Sequence, residues 1–330
     1  MAFPTGIVDA LDPGRLRLLV EVDRQGSISA AAEACRISQP SATKQLKTLE
    51  AAVGEKLVER NGRASRLTEA GQVVVTHAAR VLDTLHGLEE ELDALRGAET
   101  GTLALAASTT SGTYVLPSIL NCFADRHPGV EVDIAIGSSS WVAERISKRE
   151  FSLGIAGEVE LPDGVRAEPF LDDELVGIAA PDQMKLRRGK APLGELERWT
   201  LLVREAGSST RAVAERHLAR AGYHPVNRWE LDSNEAIKRS VQAGLGVGFL
   251  SQLVVRDEIE RGELVSFHLD GAGPMRRSIY LLRPSDRDPT PSEQAFIATL
   301  SDCCAVSIAG CTVKSSNERQ ELVARSQNPA

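Results

Sequence analysis

Ser29-Ala30-Ala31-Ala32-Glu33-Ala34-Cys35-Arg36-Ile37-Ser38-Gln39-Pro40-Ser41 is the stretch on which the rest of the chain turns. It sits inside Gly26 to Gly71, near the N-terminus. The alanine-rich run reads as a short helix with Ser29 as N-cap and Glu33 inside, its small side chains letting two helices cross closely. Arg36-Ile37-Ser38 makes a tight turn with Ile37 as its apolar plug. Ser38 caps the next helix, whose first turn tolerates Pro40. Ala42, Leu46, Leu49 and Val53 then step by four, three and four, which gives one buried face. Ser41, Lys44, Lys47 and Thr48 are left pointing outward, flanked by Thr43 and Gln45. Helix, tight turn and second helix with outward lysines is the layout of a DNA-reading helix-turn-helix. Its Ser, Thr, Gln and Lys groups can bond base edges and phosphates. An ordinary solvated face has the same composition, so the flanking segments must decide.

Upstream, Asp12-Pro13 starts a helix with an apolar face of Leu16, Leu19, Val20 and Val22, which ends at Gly26-Ser27. Downstream, two short β-like pieces flank Asn61-Gly62, a strong turn signal. Arg60, Arg63 and Arg66 sit on or beside it. This reads as a basic wing suited to phosphate or minor-groove contact. Thr68 then caps a helix of about Glu69 to Arg96. In it, Ala78, Val81, Leu85, Leu88, Leu92 and Leu95 step three, four, three, four, three, the seam of a coiled coil. Charged outer positions (Asp83, Glu89, Glu90, Glu91, Asp93) favour a dimer helix over packing within the protomer. A dimer presents two recognition helices to the halves of a near-palindrome.

The chain has 330 residues, 42% hydrophobic and 25% charged, as in a globular protein of two or three domains. Its net charge of −8 at first opposes a nucleic-acid partner. The distribution reverses that. Arg36 to Arg66 carries 7 Lys/Arg against 3 Asp/Glu, whereas everything after Arg66 carries 28 against 38. A basic segment rides on an acidic body. Five cysteines (Cys35, Cys122, Cys303, Cys304, Cys311) have no metal-ligand spacing. With no export signal and no membrane-length apolar run, they read as reduced thiols of a cytoplasmic protein without a membrane segment. Cys303-Cys304 reads as part of a C-terminal helix before a redox sensor.

Residues Leu16 to Val75 resemble the N-terminal domain of LysR-type transcriptional regulators. The matching strings are Gly26 to Ala32, Ile37 to Leu46, Leu49-Glu50, Val53-Gly54, Leu57-Val58-Glu59-Arg60 and Leu67-Thr68-Glu69-Ala70-Gly71. The resemblance implies base contacts at the start of the second motif helix, from Gln39, Pro40, Thr43 and Lys44, with the wing arginines on the DNA backbone. Lys44 stands where the family often has arginine, whose two-pronged fork a lysine lacks. Reading and resemblance together give Ser38, Gln39, Pro40, Ser41, Thr43, Lys44, Lys47, Arg60, Arg63 and Arg66 as the expected DNA-binding set.

From Thr102 the pattern changes to strand-helix-strand. Leu103 to Ala107 is a buried strand, Ser108 to Gly112 a loop, and Tyr114 to His127 a helix. Val130 to Ile136 is a second strand, Ser138-Ser139-Ser140 caps a helix to about Lys148, and Phe151 to Ala156 is a third strand. This order predicts a mainly parallel sheet with helices on both faces and small-molecule sites at the carboxyl ends of its strands. Ser108 to Ser111 sets hydroxyls at a helix start, and Ser208-Ser209-Thr210-Arg211 does so again after Thr200 to Val203. Two such clusters at equivalent places point to a ligand cleft beyond plain helix capping. Ala243 to Leu250 has the glycines of a dinucleotide loop, but they end a helix and enter a strand, the reverse order.

About Gly101 to Leu300 resembles the family's effector-binding domain, two-lobed like periplasmic solute-binding proteins. The resemblance implies effector contacts from Ser108, Thr109, Thr110, Ser138, Ser209 and Thr210, with Arg211 as counter-charge for an anion. The expected architecture is α/β and multidomain. A winged helix-turn-helix covers 1–68 and a linker helix 69–97. The effector domain covers 101–306, with lobe I at about 101–170 and 275–306 and lobe II at about 171–274. A Ser/Asn/Gln-rich tail, expected to be disordered, follows at 307–330.

An enzyme finds little support. The six histidines form no cluster, no Gly-x-Ser-x-Gly elbow or phosphate loop is present, and no catalytic residue, metal or cofactor is expected. An exported solute-binding protein is opposed by the basic head. The expected partners are double-stranded DNA, a small-molecule effector, a homodimer or homotetramer, and RNA polymerase, whose access to the promoter the effector changes.

Overall fold

The computed structural model describes residues 11–61, 64–95 and 100–306. They form two compact units, Met1–Arg96 and Gly97–Ala330.

In the first unit, α1 (Pro13–Gln25) is capped by the Asp12 carboxylate, which accepts the Gly14 and Arg15 backbone N–H groups at 2.8 and 3.1 Å. It stops at Gly26, whose φ of 62° suits a residue without Cβ. Helix α2 (Ile28–Ala34) is capped by Ser27, not by Ser29. Ser27 is extended, with φ −152°, and Ile28 is already helical and buried in the head's core. Helix α3 (Gln39–Val53) begins at Ser38, whose hydroxyl accepts from Ser41 N–H at 3.3 Å. Ala42, Leu46 and Leu49 pack with Leu18, Leu19, Val22, Ala31 and Leu57, and Ile37 plugs that core from its edge.

Strands β1 (Val58–Asn61) and β2 (Ala64–Leu67) pair antiparallel, from Val58↔Leu67 to Asn61↔Ala64. Asn61, expected in the turn, is therefore a strand residue. Gly62 and Arg63, and the side chain of Arg60, lie outside the described residues. Glu50 accepts from the backbone N–H of Leu57 and Val58, fixing the wing to α3. Helix α4 (Glu69–Leu95) starts where Thr68 Oγ1 accepts from Gly71 N–H at 3.0 Å. Val75 and Ala78 are buried. Ala78 therefore belongs to the protomer's own packing, and the exposed seam starts at Val81.

The second unit contains, in order, β3 (Gly101–Ser108), α5 (Thr109–Tyr114), α6 (Leu116–Arg126), β4 (Val130–Gly137), α7 (Ser139–Ser147), β5 (Leu153–Gly157) and β6 (Val165–Ala179). It continues through β7 (Lys190–Ala191), α8 (Leu193–Leu196), β8 (Leu201–Arg204), α9 (Ser209–Arg220), β9 (Arg228–Leu231), α10 (Asn234–Gln242) and β10 (Val247–Ser251). Then come α11 (Gln252–Glu260), β11 (Val265–Leu269), β12 (Met275–Pro284) and α12 (Pro291–Val306).

The main sheet runs β4-β3-β5-β12-β6-β10-β8-β9. Within lobe I, β3 pairs parallel with β4 and β5; within lobe II, β8 pairs parallel with β9 and β10. The lobes are joined by the long strands β6 and β12, antiparallel to each other from Val165↔Pro284 to Leu175↔Met275. Phe170 and Leu171, at the expected lobe boundary, lie in the middle of β6. Each lobe has its own core. One centres on Leu105, Phe123, Ile155 and Phe296, the other on Leu201, Val213, Phe249 and Phe267.

Two local expectations change. Ser108 to Gly112 is not a loop: α5 begins at Thr109, and burial of Thr110 and Ser111 holds helix in a hydroxyl-rich run of weak propensity. The helix expected over Tyr114 to His127 is broken at Val115 into α5 and α6. Pro117, which cannot donate an N–H to the preceding turn, falls in the first turn of α6.

Candidate functional sites

On the head, Ser38, Gln39, Pro40, Lys44 and Lys47 are exposed along the start and outer side of α3. Ser41 and Thr43 are half-buried, Ser41 accepting from Gln45 Nε2 at 3.5 Å. The Ser38 hydroxyl is already used as the cap. Thr48 donates back to the Lys44 carbonyl at 3.0 Å, which leaves the ammonium groups as the forward-reaching part of this face. Thr43, Lys47 and Lys56 border an open groove between α3 and β1. Arg66 projects from β2 and is exposed. This surface offers cations, an amide and a helix N-terminus together, a combination that attracts a polyanion.

In the second unit, β3, β4 and β8 end at a common narrow cleft between the lobes. Ser108, Thr109 and Thr110 reach it from the start of α5, and Gly137, Ser138 and Ser139 from the start of α7. Ser208, Ser209 and Thr210 come from the start of α9. Arg204, Glu205 and Arg277 complete the wall, which contains no large apolar side chain.

The hydroxyls differ in what they have left to give. Ser138 Oγ accepts from Trp141 N–H at 3.2 Å. Ser108 and Ser111 bond each other at 2.9 Å. Thr109 Oγ1 donates to the Gly137 carbonyl at 3.2 Å and accepts from Arg204 at 3.3 Å. Thr110 Oγ1 accepts from Asn234 at 3.4 Å, and Thr210 Oγ1 from Arg277 at 3.0 Å. Ser209 Oγ is buried without a hydrogen-bond partner among the described residues. It lies close against β5, where a Cβ on Gly157 would come within 2.4 Å of it. Ser208 precedes α9 without a side-chain cap, so the first N–H groups of that 12-residue helix keep their capacity for a ligand.

Six of the seven residues expected to hold the effector therefore line one cavity. Arg211 does not. It bonds Glu215 at 2.9 Å and Glu230 at 2.7 Å. Burial alone would lower its pKa, but these two carboxylates outweigh it and hold the guanidinium above its usual range. The cations of the cleft are Arg204 and Arg277. Arg277 donates to Asp173 from Nε and Nη2 at 2.8 Å each, and Asp173 also accepts from Ser251 Oγ at 2.7 Å. Arg204 is held by Glu205, Asn234 and Thr109. A sequence signal existed for both: a charged residue in the apolar run Leu201-Leu202-Val203-Arg204, and Asp173 on the buried alternation Leu171, Asp173, Leu175.

Across the mouth, Ser140 N–H donates to the Gly207 carbonyl at 3.1 Å, and Arg216 pairs with Glu158 at 2.5 Å. Among the described residues no His/Cys/Asp/Glu group is arranged to hold a metal, and no helix is long and apolar enough to cross a membrane.

Comparison with known proteins bears on both units. The family model described as bacterial regulatory helix-turn-helix protein, lysR family, matches residues 13–72. That described as LysR substrate binding domain matches residues 96–305. The RuBisCO operon transcriptional regulator of Acidithiobacillus ferrooxidans is 32% identical over 286 residues, 87% of this chain and 92% of that protein. A full-length OxyR variant from Pseudomonas aeruginosa matches 90% of this chain and 95% of its own, with TM-score 0.72 and 22% identity, a likeness of fold. The regulatory domain of CcmR from Synechocystis PCC6803, in complex with 2-PG, is 30% identical. It covers 64% of this chain and 99% of its own, with TM-score 0.57.

Proposed function

The chain belongs to the LysR family of ligand-responsive, DNA-binding transcriptional regulators, and on that premise we propose how its two units divide the work. The head reads double-stranded DNA with the start of α3. Gln39, Pro40, Thr43 and Lys44 face the bases, and Ser38, Ser41 and Lys47 face neighbouring phosphates. Arg60, Arg63 and Arg66 of the wing follow the DNA backbone. Two heads, paired through the apolar seam of α4, meet the halves of a near-palindromic site in the cytoplasm, with a tetramer formed by two such pairs.

The cleft takes a small, strongly hydrophilic anion. Ser108, Thr109, Thr110, Ser138, Ser209 and Thr210 hold it, with Arg204 and Arg277 in the charge role expected of Arg211. The observation that carries this reading is the buried, unpartnered Ser209 Oγ beside the uncapped start of α9. A buried hydroxyl without a partner is costly, and an anionic oxygen would satisfy it. The polar wall suits a phosphate or carboxylate and gives an aromatic effector nothing to pack on. The 2-PG complex of the CcmR domain supports the same ligand class. Anion binding biases the lobes toward one arrangement, re-spaces the paired heads, and changes DNA bending and RNA polymerase access. Such coupling requires different affinities for the two arrangements.

Calorimetric titration of the full chain with 2-PG and with related small phosphates and carboxylates tests the ligand reading. Saturable binding is expected. Thr210→Val should weaken it by about tenfold, the equivalent of one lost hydrogen bond of about 1.4 kcal/mol. Binding that is indifferent to this substitution would move the ligand out of the cleft.

A further inference from the structure

Resting on the reading of the cleft as an anion site, we propose that Glu205 is a built-in competitor that occupies the effector's place on Arg204 and sets which anions can displace it. Both Glu205 carboxylate oxygens face Arg204, accepting from Nε at 2.7 Å and from Nη2 at 2.9 Å. This two-pronged arrangement is the one a guanidinium offers to an incoming carboxylate or phosphate. The remaining Arg204 donors go to Asn234, to Thr109 Oγ1 and, at 3.4 Å, to the Asp232 carbonyl. The edge of Arg204 formed by Nε and Nη2, the one that grips a carboxylate or phosphate with two parallel bonds, is therefore taken while Glu205 stays.

The formal charges of the wall explain why the exchange must involve Glu205. Arg204 and Arg277 contribute two positive charges; Glu205, itself on the wall, and Asp173, buried against Arg277, cancel both. The two carboxylates are not equally able to move. Asp173 is fully buried and bonded by Arg277 twice and by Ser251. The Glu205 side chain is 22% exposed, and Arg204 is its partner among the described residues. Glu205 also stands two positions before Gly207, whose φ of 82° marks a tight turn that a side chain would not tolerate. The acidic side chain with a route to solvent is the one that masks the cleft's cation.

Displacement of Glu205 reaches the lobe contact directly. The Gly207 carbonyl accepts from Ser140 N–H at the start of α7, across the cleft. Glu205-Ala206-Gly207 thus joins the masked cation to lobe I in three residues. An anion that takes Arg204 releases the first of these residues and frees the segment that holds the third. Weakly bound, abundant anions such as free phosphate lose to Glu205; an effector with a second anionic group or further hydroxyl contacts wins.

The test is titration of the full chain, and of Glu205→Gln and Glu205→Ala, with inorganic phosphate and with 2-PG. Both variants should bind inorganic phosphate about tenfold or more tightly than the unaltered chain, and the preference for 2-PG over phosphate should narrow. Gln keeps the size and one acceptor oxygen of Glu205, so folding is retained in at least that variant, which thermal unfolding verifies. If the unaltered chain binds 2-PG but both variants bind phosphate no better or more weakly, Glu205 merely orients Arg204; the inference falls and the cleft reading stands. If neither anion binds the chain or its variants, both fall together.

Discussion

Asp173 and Arg277 sit on the paired strands β6 and β12, with side chains 0% and 3% exposed. Each satisfies the other, and Ser251 and Thr210 take up bonds that remain. Removing one member of such a pair leaves a charge buried without its counter-ion, at a cost of about 3–5 kcal/mol. Asp173→Ala should lower stability by that amount in urea unfolding of the full chain, whereas exposed Arg211 partners such as Glu230 should cost under about 1 kcal/mol. At this scale the sequence was legible where chemistry is local. Hydroxyl runs at Ser108 to Ser111 and Ser208 to Thr210 announce themselves by composition. The counter-charge was not, because it depends on strands that are far apart in sequence: Asp173 meets Arg277 across 104 positions. Arg211 was the nearest cation to a hydroxyl run, yet Glu215 one helical turn later was already its natural partner.

Among the elements, α4 states most about assembly. Val81, Leu85, Leu88, Leu92 and Leu95 are between 36% and 84% exposed in the protomer, all on the heptad positions of one helix. An apolar stripe of this length left in water favours a second helix with the same stripe. Leu88→Asp places a charge at its middle, and sedimentation at micromolar concentration should then show monomer where the unaltered chain shows dimer or larger. A dimer unchanged by the substitution would place the contact elsewhere. The 3.6-residue spacing that reveals this helix does not say where intramolecular packing stops, so Ala78 read as part of the seam although it is buried within the protomer. Boundaries of the other helices were legible where a capping residue had no rival, as at Asp12 and Ser38. They were misplaced where two serines competed, at Ser27 and Ser29, and where burial rather than propensity decides, as in α5.

For the molecule as a whole, the order of segments carried most of the fold. A contiguous head motif, a heptad helix and two rounds of strand-helix alternation leave few arrangements open. What sequence order could not convey is that two antiparallel strands, β6 and β12, join the lobes. Arg277 on one of them contributes to the wall of the cleft, and Asp173 on the other holds it in place. The same strands make the cleft the place where a ligand can bias lobe position, and the proposed regulation depends on that bias reaching DNA. The most direct test is the bend angle and footprint of the full chain on its own promoter site, measured with and without a saturating anion shown to bind the cleft. The account predicts that the anion changes both the bend and the spacing of protection between half-sites, and that Thr210→Val demands more anion for the same change. An identical footprint and bend in the presence of bound anion would contradict it.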